Sequence, residues 1–486
     1  MDSRITARAL AAALGGWRTR EPAYEALADG IRLLCLDNRI AARTALPAER
    51  ELAGALSLSR TTVAAAYRSL RDTGHIESLR GSGSVTLPQP RREPGRMAVG
   101  ADAVDLQQAS PAAWPGLTGV MSEVAADAAS LVSRAGYDVR GSLALRQAIA
   151  ERYTRAGVPT DVDEVMVTNG AQGAIHLIAD TLLRRGDRAL IETPTYPHAA
   201  EALRAAGARL VGVPVSVDAG WDLDRATQAF ARTAPTVAYL MPRFQNPTGR
   251  CMTAVDESVV AEAAARAGTV LIVDETTGEL AIEATPPGLP GAAFAEADVV
   301  RVGSVGKTIW GGLRIGWIRA EAQLIARLVG ARPPRDLGTP EFEQAVTVRA
   351  LERMPEVLAQ RADVLRAGRD ALVAALGAAL PAWRVPTVTG GVALWVELDA
   401  PLSSGLVLAA REHGVYLSAG SRFAVDGTHD RHLRIPFTAP AADLRHAVEV
   451  LAATWPTVCA AAPGEVREGM PDRSANGARD LTEALV

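Results

Sequence analysis

Ser304-Val305-Gly306-Lys307-Thr308-Ile309-Trp310-Gly311-Gly312-Leu313-Arg314-Ile315-Gly316-Trp317 is the stretch from which the rest of the chain can be read. All but one of the 51 basic residues of this 486-residue protein are arginine, and the exception is Lys307. A guanidinium stays charged, whereas a desolvated lysine ammonium can lose its proton and attack a carbonyl, so a lone surviving lysine marks a place where an amine is required. The apolar, β-branched run 299–304 ahead of it predicts a strand whose carboxyl end carries Lys307 to the edge of a sheet, where open α/β folds bind ligands. Arg314 follows seven residues later and can return to the same edge to pair bidentately with a phosphate.

Outward from this stretch, apolar runs at 165–168, 189–192, 237–241 and 270–274 alternate with helical patterns, which predicts a large, mostly parallel sheet wrapped in helices. A later segment holding 392–398 and 433–437 predicts a smaller α+β lobe. Each strand end brings a chemically useful group. Thr168-Asn169-Gly170-Ala171-Gln172 opens a helix whose backbone N–H groups and positive end can cradle an anion. Asp274 closes its strand as a buried carboxylate that calls for a cationic partner, such as a protonated ring nitrogen. Asn246, in MPRFQNPTGR, can donate to a ring oxygen, and Tyr196, in ETPTYPH, offers a flat face for stacking.

The N-terminal part has a different texture. Residues 1–96 carry 15 Arg against 10 Asp and Glu, which leaves the remainder near −9 within a net charge of −4. A basic head on an acidic body suggests a polyanionic partner at the head. Residues 20–87 predict three short helices, at 21–36, 48–56 and 60–72, then a strand pair turned at Gly81-Ser82-Gly83. Ser59 is placed as an N-cap, and the face of the third helix opposite Val63, Tyr67 and Leu70 is small and polar. Such a helix pair suits the major groove, with Arg50, Ser59, Arg60, Thr61 and Thr62 as contacts and Gly81 and Gly83 letting a wing approach the DNA backbone. Residues 88–101, rich in Pro, Arg and Gly, predict a linker; 102–461 form the second domain, and 462–486 a disordered tail.

Cys35, Cys251 and Cys459 show neither a disulfide framework nor metal-ligand spacing, so no metal is expected. No apolar run approaches the roughly 20 residues of a membrane span, and the N-terminus does not read as a signal peptide, so a cytoplasmic protein without membrane contact is expected.

LPAERELAGALSLSRTTVAAAYRSLRDTGHIESLRGSGSVT resembles the winged helix-turn-helix of GntR-type regulators over some 65 residues, with LPAERELA, SRTTV, AYRSL and GSG in order. GYDVRGSLALRQAIA, TNGAQGA, ETPTYP, FQNPTG, VDE, SVGK, LRIG and LRIPF resemble, in order, the fold-type I aminotransferases that depend on pyridoxal 5′-phosphate (PLP). That resemblance implies that Lys307 is the catalytic lysine and holds PLP as a Schiff base. It also implies that Asp274 meets the pyridine nitrogen, Asn246 meets the ring oxygen and Tyr196 stacks. Gly170, Ala171, Gln172, Ser304 and Arg314 are then the phosphate contacts, and Arg434 clamps the carboxylate of a substrate or effector. Two positions depart from the pattern: Thr276 stands where relatives place a tyrosine that supports the ring oxygen, and His198 stands where glycine is usual.

The fusion of the two resembles the MocR/GabR-type subgroup of regulators. It implies a homodimer that binds double-stranded DNA at paired half-sites and responds to PLP or to a small amino compound. The rival reading is a working aminotransferase whose head only localises it. With Thr276 weakening the catalytic set, residual transamination is expected and a physiological enzyme is not.

Overall fold

The computed structural model describes residues 4–14, 17, 22–36, 39–79, 83–87, 103–133, 135–283, 294, 297–425 and 429–461. Gly81, the expected linker 88–101 and the expected tail 462–486 lie outside the described residues.

The head contains helices α1 (Ala7–Leu14), α2 (Ala23–Leu36), α3 (Glu49–Leu56) and α4 (Arg60–Asp72), then the antiparallel strands β1 (Ile76–Leu79) and β2 (Gly83–Thr86). The helix expected from residue 21 starts at Ala23, after Pro22, and α1 joins the unit although the sequence reading begins it at residue 20. Leu10 and Leu14 of α1 enter one core with Leu27, Ile31, Leu52, Val63, Tyr67 and Leu70, so α1 covers apolar surface that three helices leave open. Ser57 adopts a left-handed conformation (φ 53°) that ends α3, and Ser59 caps α4 by accepting the Thr62 N–H at 3.0 Å, so two serines make the tight turn. The buried Tyr67 hydroxyl donates to the Pro47 carbonyl at 2.9 Å and holds α4 against the start of α3.

The body is built on an eight-stranded sheet. After β3 (Val104–Asp105) come β4 (Val165–Asn169), β5 (Arg188–Thr193), β6 (Arg209–Ser216), β7 (Gly220–Trp221), β8 (Val237–Leu240), β9 (Val270–Asp274), β10 (Val299–Ser304) and β11 (Ile315–Arg319). Their spatial order is β4-β11-β10-β9-β8-β5-β6-β7. The strands from β10 through β6 pair in parallel, whereas β11 runs antiparallel to both of its neighbours and β7 antiparallel to β6. Continuous apolar strands such as Val270-Leu271-Ile272-Val273 suit a sheet covered on both faces. Ile272 and Val302 pack with the helix Gly170–Leu182 on one side, and Leu271 and Val273 pack with the helix Ala254–Ala267 on the other. Because β4, β5, β8, β9 and β10 share a direction, their carboxyl ends lie on one edge, and β11 begins there on its way back.

The expected smaller lobe is present as the antiparallel strands β12 (Ala393–Glu397), β15 (His432–Pro436) and β14 (Ser418–Ala419), with β13 (Val415–Tyr416) paired to β3. The helices Met354–Ala379, Ser403–Glu412 and Ala441–Ala461 cover it. Leu33 of α2 belongs to this lobe's core, where the head's helix meets the helix Ser403–Glu412.

Candidate cofactor and ligand site

A cavity of about 570 Å³ opens where the strand ends of the large sheet meet the small lobe. Its walls include Lys307, Asp274, Asn246, Tyr196, Gly170, Ala171, Gln172, Ser304, Arg314, Thr276 and Arg434, so every body residue singled out from sequence reaches one space.

Lys307 sits on a single wide helical turn, Gly306–Trp310, that follows β10 directly. Arg361, from the helix Met354–Ala379, clamps this turn by donating to the carbonyls of Thr308 (2.8 Å), Ile309 (3.2 Å) and Ala112 (2.9 Å). The amine is buried and donates to the Ala109 carbonyl at 2.6 Å. Burial, reinforced by the Arg434 charge and opposed by Asp274, pushes the lysine pKa down to about 8. At pH 7 roughly a tenth of such amines are neutral, against fewer than about one in a thousand for an ordinary lysine. Carbonyl capture should therefore accelerate as pH rises towards about 8 and level off above it, a profile read by stopped-flow absorbance with added PLP. A rate still climbing steeply at pH 10 would contradict this.

Asp274, also buried, accepts the Tyr239 hydroxyl at 2.6 Å on one oxygen and the Thr276 N–H at 2.9 Å on the other. Burial raises its pKa, while the bonds from Thr276 and Tyr239 and the charge of Lys307 act against that rise. Tyr239 lies inside the apolar strand β8, whose run 237–241 the sequence marks as a strand and nothing more. Its phenol supports Asp274 from the sheet side.

At the other end, Gly170 begins the helix Gly170–Leu182 with φ 74°, and Arg314 donates to the Asn169 carbonyl at 3.1 Å with its guanidinium over Gly170. The Ser304 hydroxyl donates to the Ile315 carbonyl and accepts the Gly306 N–H, both at 3.0 Å, so backbone groups hold it here. Gln172 donates to the His198 carbonyl at 3.1 Å. His198 itself lines the cavity, its ring 5.3 Å from that of Tyr196.

Arg434 is buried, donates to the Gln107 carbonyl at 2.5 Å and lies over the Phe423 ring at 4.8 Å. Burial lowers its pKa to about 10, with Tyr196 opposing and Arg422 adding to the effect. Sequence reading missed Arg422, which stands in the wall within the turn Gly420–Phe423, and also the segment Gln107-Gln108-Ala109-Ser110. A short turn and an irregular stretch carry no periodic signal.

Among the described residues, the buried atoms Asn246 Oδ1, Gln172 Oε1 and Arg434 Nε have no hydrogen-bond partner. Unmet polar atoms on residues that line one cavity cost free energy that a polar ligand can recover. A phosphorylated, cationic aromatic ring with an aldehyde fits this set. An anion cradle lies at one end, a carboxylate at the ring position, and a buried amine beside it.

On the head, Arg50, Ser59, Arg60, Thr61 and Gly83 are exposed and Thr62 is half-buried. The Ser59 hydroxyl lies 2.7 Å from those of both Thr61 and Thr62, which ties it to the helix start, and Arg60 pairs with Glu49 at 3.5 Å. Among the described residues, no helix is long and apolar enough to cross a membrane, and no cluster of three or more His, Cys, Asp or Glu could hold a metal ion.

The model of aminotransferase class I and II matches residues 120–451, and that of bacterial regulatory proteins of the gntR family matches residues 23–85. The 2-aminoadipate transaminase of Thermus thermophilus is 32% identical, the alignment covering 65% of this chain and 81% of that one. The probable rhizopine catabolism regulatory protein MocR of Rhizobium meliloti is 32% identical over 62% of this chain and 66% of its own. Among solved structures, LysN, an α-aminoadipate aminotransferase from Thermus thermophilus complexed with N-(5′-phosphopyridoxyl)-L-leucine, is 28% identical with a TM-score of 0.67, over 74% of this chain and 94% of that one. The chain belongs to the aminotransferase class I and II family, with PLP as the cofactor of its body and a gntR-family DNA-binding domain at its head, the arrangement of the MocR/GabR-type subgroup.

Proposed function

We propose that this protein is a transcription regulator that binds DNA through its head and senses PLP, or an amino compound held against PLP, through its body. The observation that carries the reading is the strap 107–109. Lys307 donates to the Ala109 carbonyl and Arg434 to the Gln107 carbonyl, so the two groups best suited to a ligand are both engaged by backbone that follows β3. That strand is the first described element after residues 88–102, which join head to body. A ligand that takes over either donor releases the strap, and so binds the two arrangements with different affinity, as a switch requires. A second connection runs through α2 and the helix Ser403–Glu412, whose first residue, Ser403, donates to Asp430 at 2.9 Å, close to the strand that carries Arg434.

In this reading Lys307 holds the PLP carbonyl carbon, Asp274 the ring nitrogen and Asn246 the ring oxygen. Tyr196 stacks on the ring, with Thr276 beside it. Gly170, Ala171, Gln172, Ser304 and Arg314 hold the phosphate, and Arg434 the carboxylate of the effector. When bound, PLP supplies an electrophilic carbonyl and an electron-withdrawing ring. Lys307 can pass a proton to or from the bound amino compound because its pKa lies near neutrality. Arg50, Ser59, Arg60, Thr61, Thr62, Gly81 and Gly83 form the DNA face, with Ser59 acting mainly through the helix start that it caps.

Two chains pair as a homodimer and set two heads on paired half-sites. Exposed Tyr137 and Leu337 support this, since they lie on neighbouring segments where the Asp138 carbonyl meets Gly338.

The test measures fluorescence anisotropy of the protein's own promoter DNA with apoprotein, with PLP-loaded protein, and with loaded protein plus amino acids. At least a fivefold change in DNA affinity between two of these states is expected. Steady multiple-turnover transamination with DNA affinity constant across all three would overturn the regulator in favour of an enzyme with a tethering head.

A further inference from the structure

Among the described residues, Arg422 is the one wall residue of strong charge that the PLP reading leaves unused. It lies in the turn Gly420–Phe423, which Ser403 Oγ pins by accepting the Gly420 N–H at 3.3 Å. Its side chain is only 11% exposed and reaches the cavity wall, while one end of the guanidinium is held from behind by Glu201 at 2.6 Å. Arg434 lies close enough that the Arg422 charge adds to the burial that lowers its pKa, and Arg204, which donates to the Val425 carbonyl at 2.8 Å, feels Arg422 as well. Arg422 and Arg204 therefore share Glu201, whose side chain is 43% exposed and so screened by solvent, and Arg434 adds a further charge beside Arg422. Asp274 is committed to Tyr239 and Thr276, and Arg434 Nε is buried without a partner. Next to these groups stands His198, whose pKa is lowered by burial and by Arg422 and Arg434 despite Glu201, which favours the neutral ring that donates one N–H without adding charge.

A buried wall with this excess of positive charge calls for more than one anionic group on what fills it. We infer that the effector is an amino acid with an acidic side chain, its α-carboxylate on Arg434 and its second carboxylate on Arg422 and His198, with Arg422 as the specificity-determining residue. This rests on the reading above in which Lys307 and Arg434 face the ligand. An acid is favoured over its isosteric amide because the amide brings no negative charge to a wall whose guanidiniums outnumber the one half-exposed carboxylate behind them.

The experiment titrates PLP-loaded full-length protein with L-aspartate, L-glutamate, L-asparagine and L-glutamine, following both calorimetric heat and the visible spectrum of the bound cofactor. The acids are expected to bind at least tenfold more tightly than their amides. Arg422→Met should bring the ratio to within twofold, and Arg422→Lys should restore part of it. Equal binding of acids and amides by the unsubstituted protein would overturn this inference alone, and it would mean that both arginines serve one carboxylate. An acid preference that persists undiminished in Arg422→Met would likewise remove Arg422 from its role. No response to any of the four compounds would overturn this inference and leave PLP itself as the sensed ligand, which the anisotropy comparison of apoprotein with PLP-loaded protein tests separately.

Discussion

Replacing Lys307 by alanine is expected to abolish covalent attachment of PLP and, because the bond to the Ala109 carbonyl goes with it, to abolish the difference in promoter affinity between apoprotein and PLP-treated protein, while the head still binds DNA. The chain has no second lysine to substitute, so loss at this one position removes the side-chain amine altogether. The environment is built around that amine: a turn clamped by Arg361, burial that brings the pKa to about 8, and Asp274 across the cavity. The head has its own core, from Leu10 and Leu27 to Tyr67 and Leu70, and its own caps, so it stays folded when the body loses this amine. The measurement is intact mass after borohydride treatment of the PLP-incubated protein, paired with anisotropy on promoter DNA. A PLP-sized mass increase that survives in Lys307→Ala would refute the assignment.

Gly316→Ala is expected to weaken PLP binding by at least a hundredfold and to lower the melting temperature by a few degrees, although residue 316 needs no contact with the cofactor. Gly316 lies in β11 opposite Thr168 of β4 and Ser304 of β10, directly beneath the start of the helix that forms the anion cradle. A Cβ there would stand 2.4 Å from the Gly170 carbonyl carbon, 2.6 Å from the Ala171 nitrogen and 2.9 Å from the Gly170 Cα. These are backbone atoms held by the sheet on one side and the helix on the other, so the cradle must move, and overpacking of this kind costs about 1–3 kcal/mol or more. Displacing phosphate donors by a fraction of an ångström also spoils charge-assisted bonds that depend on geometry. Gly54→Ala is the control, on α3 with open space around it, where helix propensity favours alanine. Unchanged PLP affinity in Gly316→Ala, with the control also unchanged, would mean that the cradle adapts and is not a rigid element.

Much of the fold was legible because its signals are local. Val270-Leu271-Ile272-Val273, short, largely β-branched and closed by Asp274, reads as a strand buried on both faces, and Ser59 ahead of Arg60-Thr61-Thr62-Val63 announces a helix start. Strand β11 was harder. Ile315-Gly316-Trp317-Ile318 carries no mark of its direction, and the sheet decides it, since β11 returns from the edge where β10 ended. Helix α1 was passed over because an Ala-rich run of eight residues, although Thr6 caps it by accepting the Ala9 N–H at 3.2 Å, is marginal alone until Leu27 and Ile31 give Leu10 and Leu14 something to cover.

For the site, the division follows the same physics. The sequence by itself determined the chemistry: one lysine after one strand, an aspartate closing another, a glycine-led helix start, and an arginine seven residues beyond the lysine. Each of these is a residue type with a task attached to a local position in a strand–loop–helix unit. Only the tertiary structure decided which groups meet: Lys307 with a carbonyl 198 residues away, Arg434 with one 327 residues away, Tyr239 beneath Asp274, and Arg422 backed by Glu201. Those contacts join segments that share no periodicity and no motif, and they exist because a parallel sheet gathers distant strand ends at one edge and a second lobe closes over them.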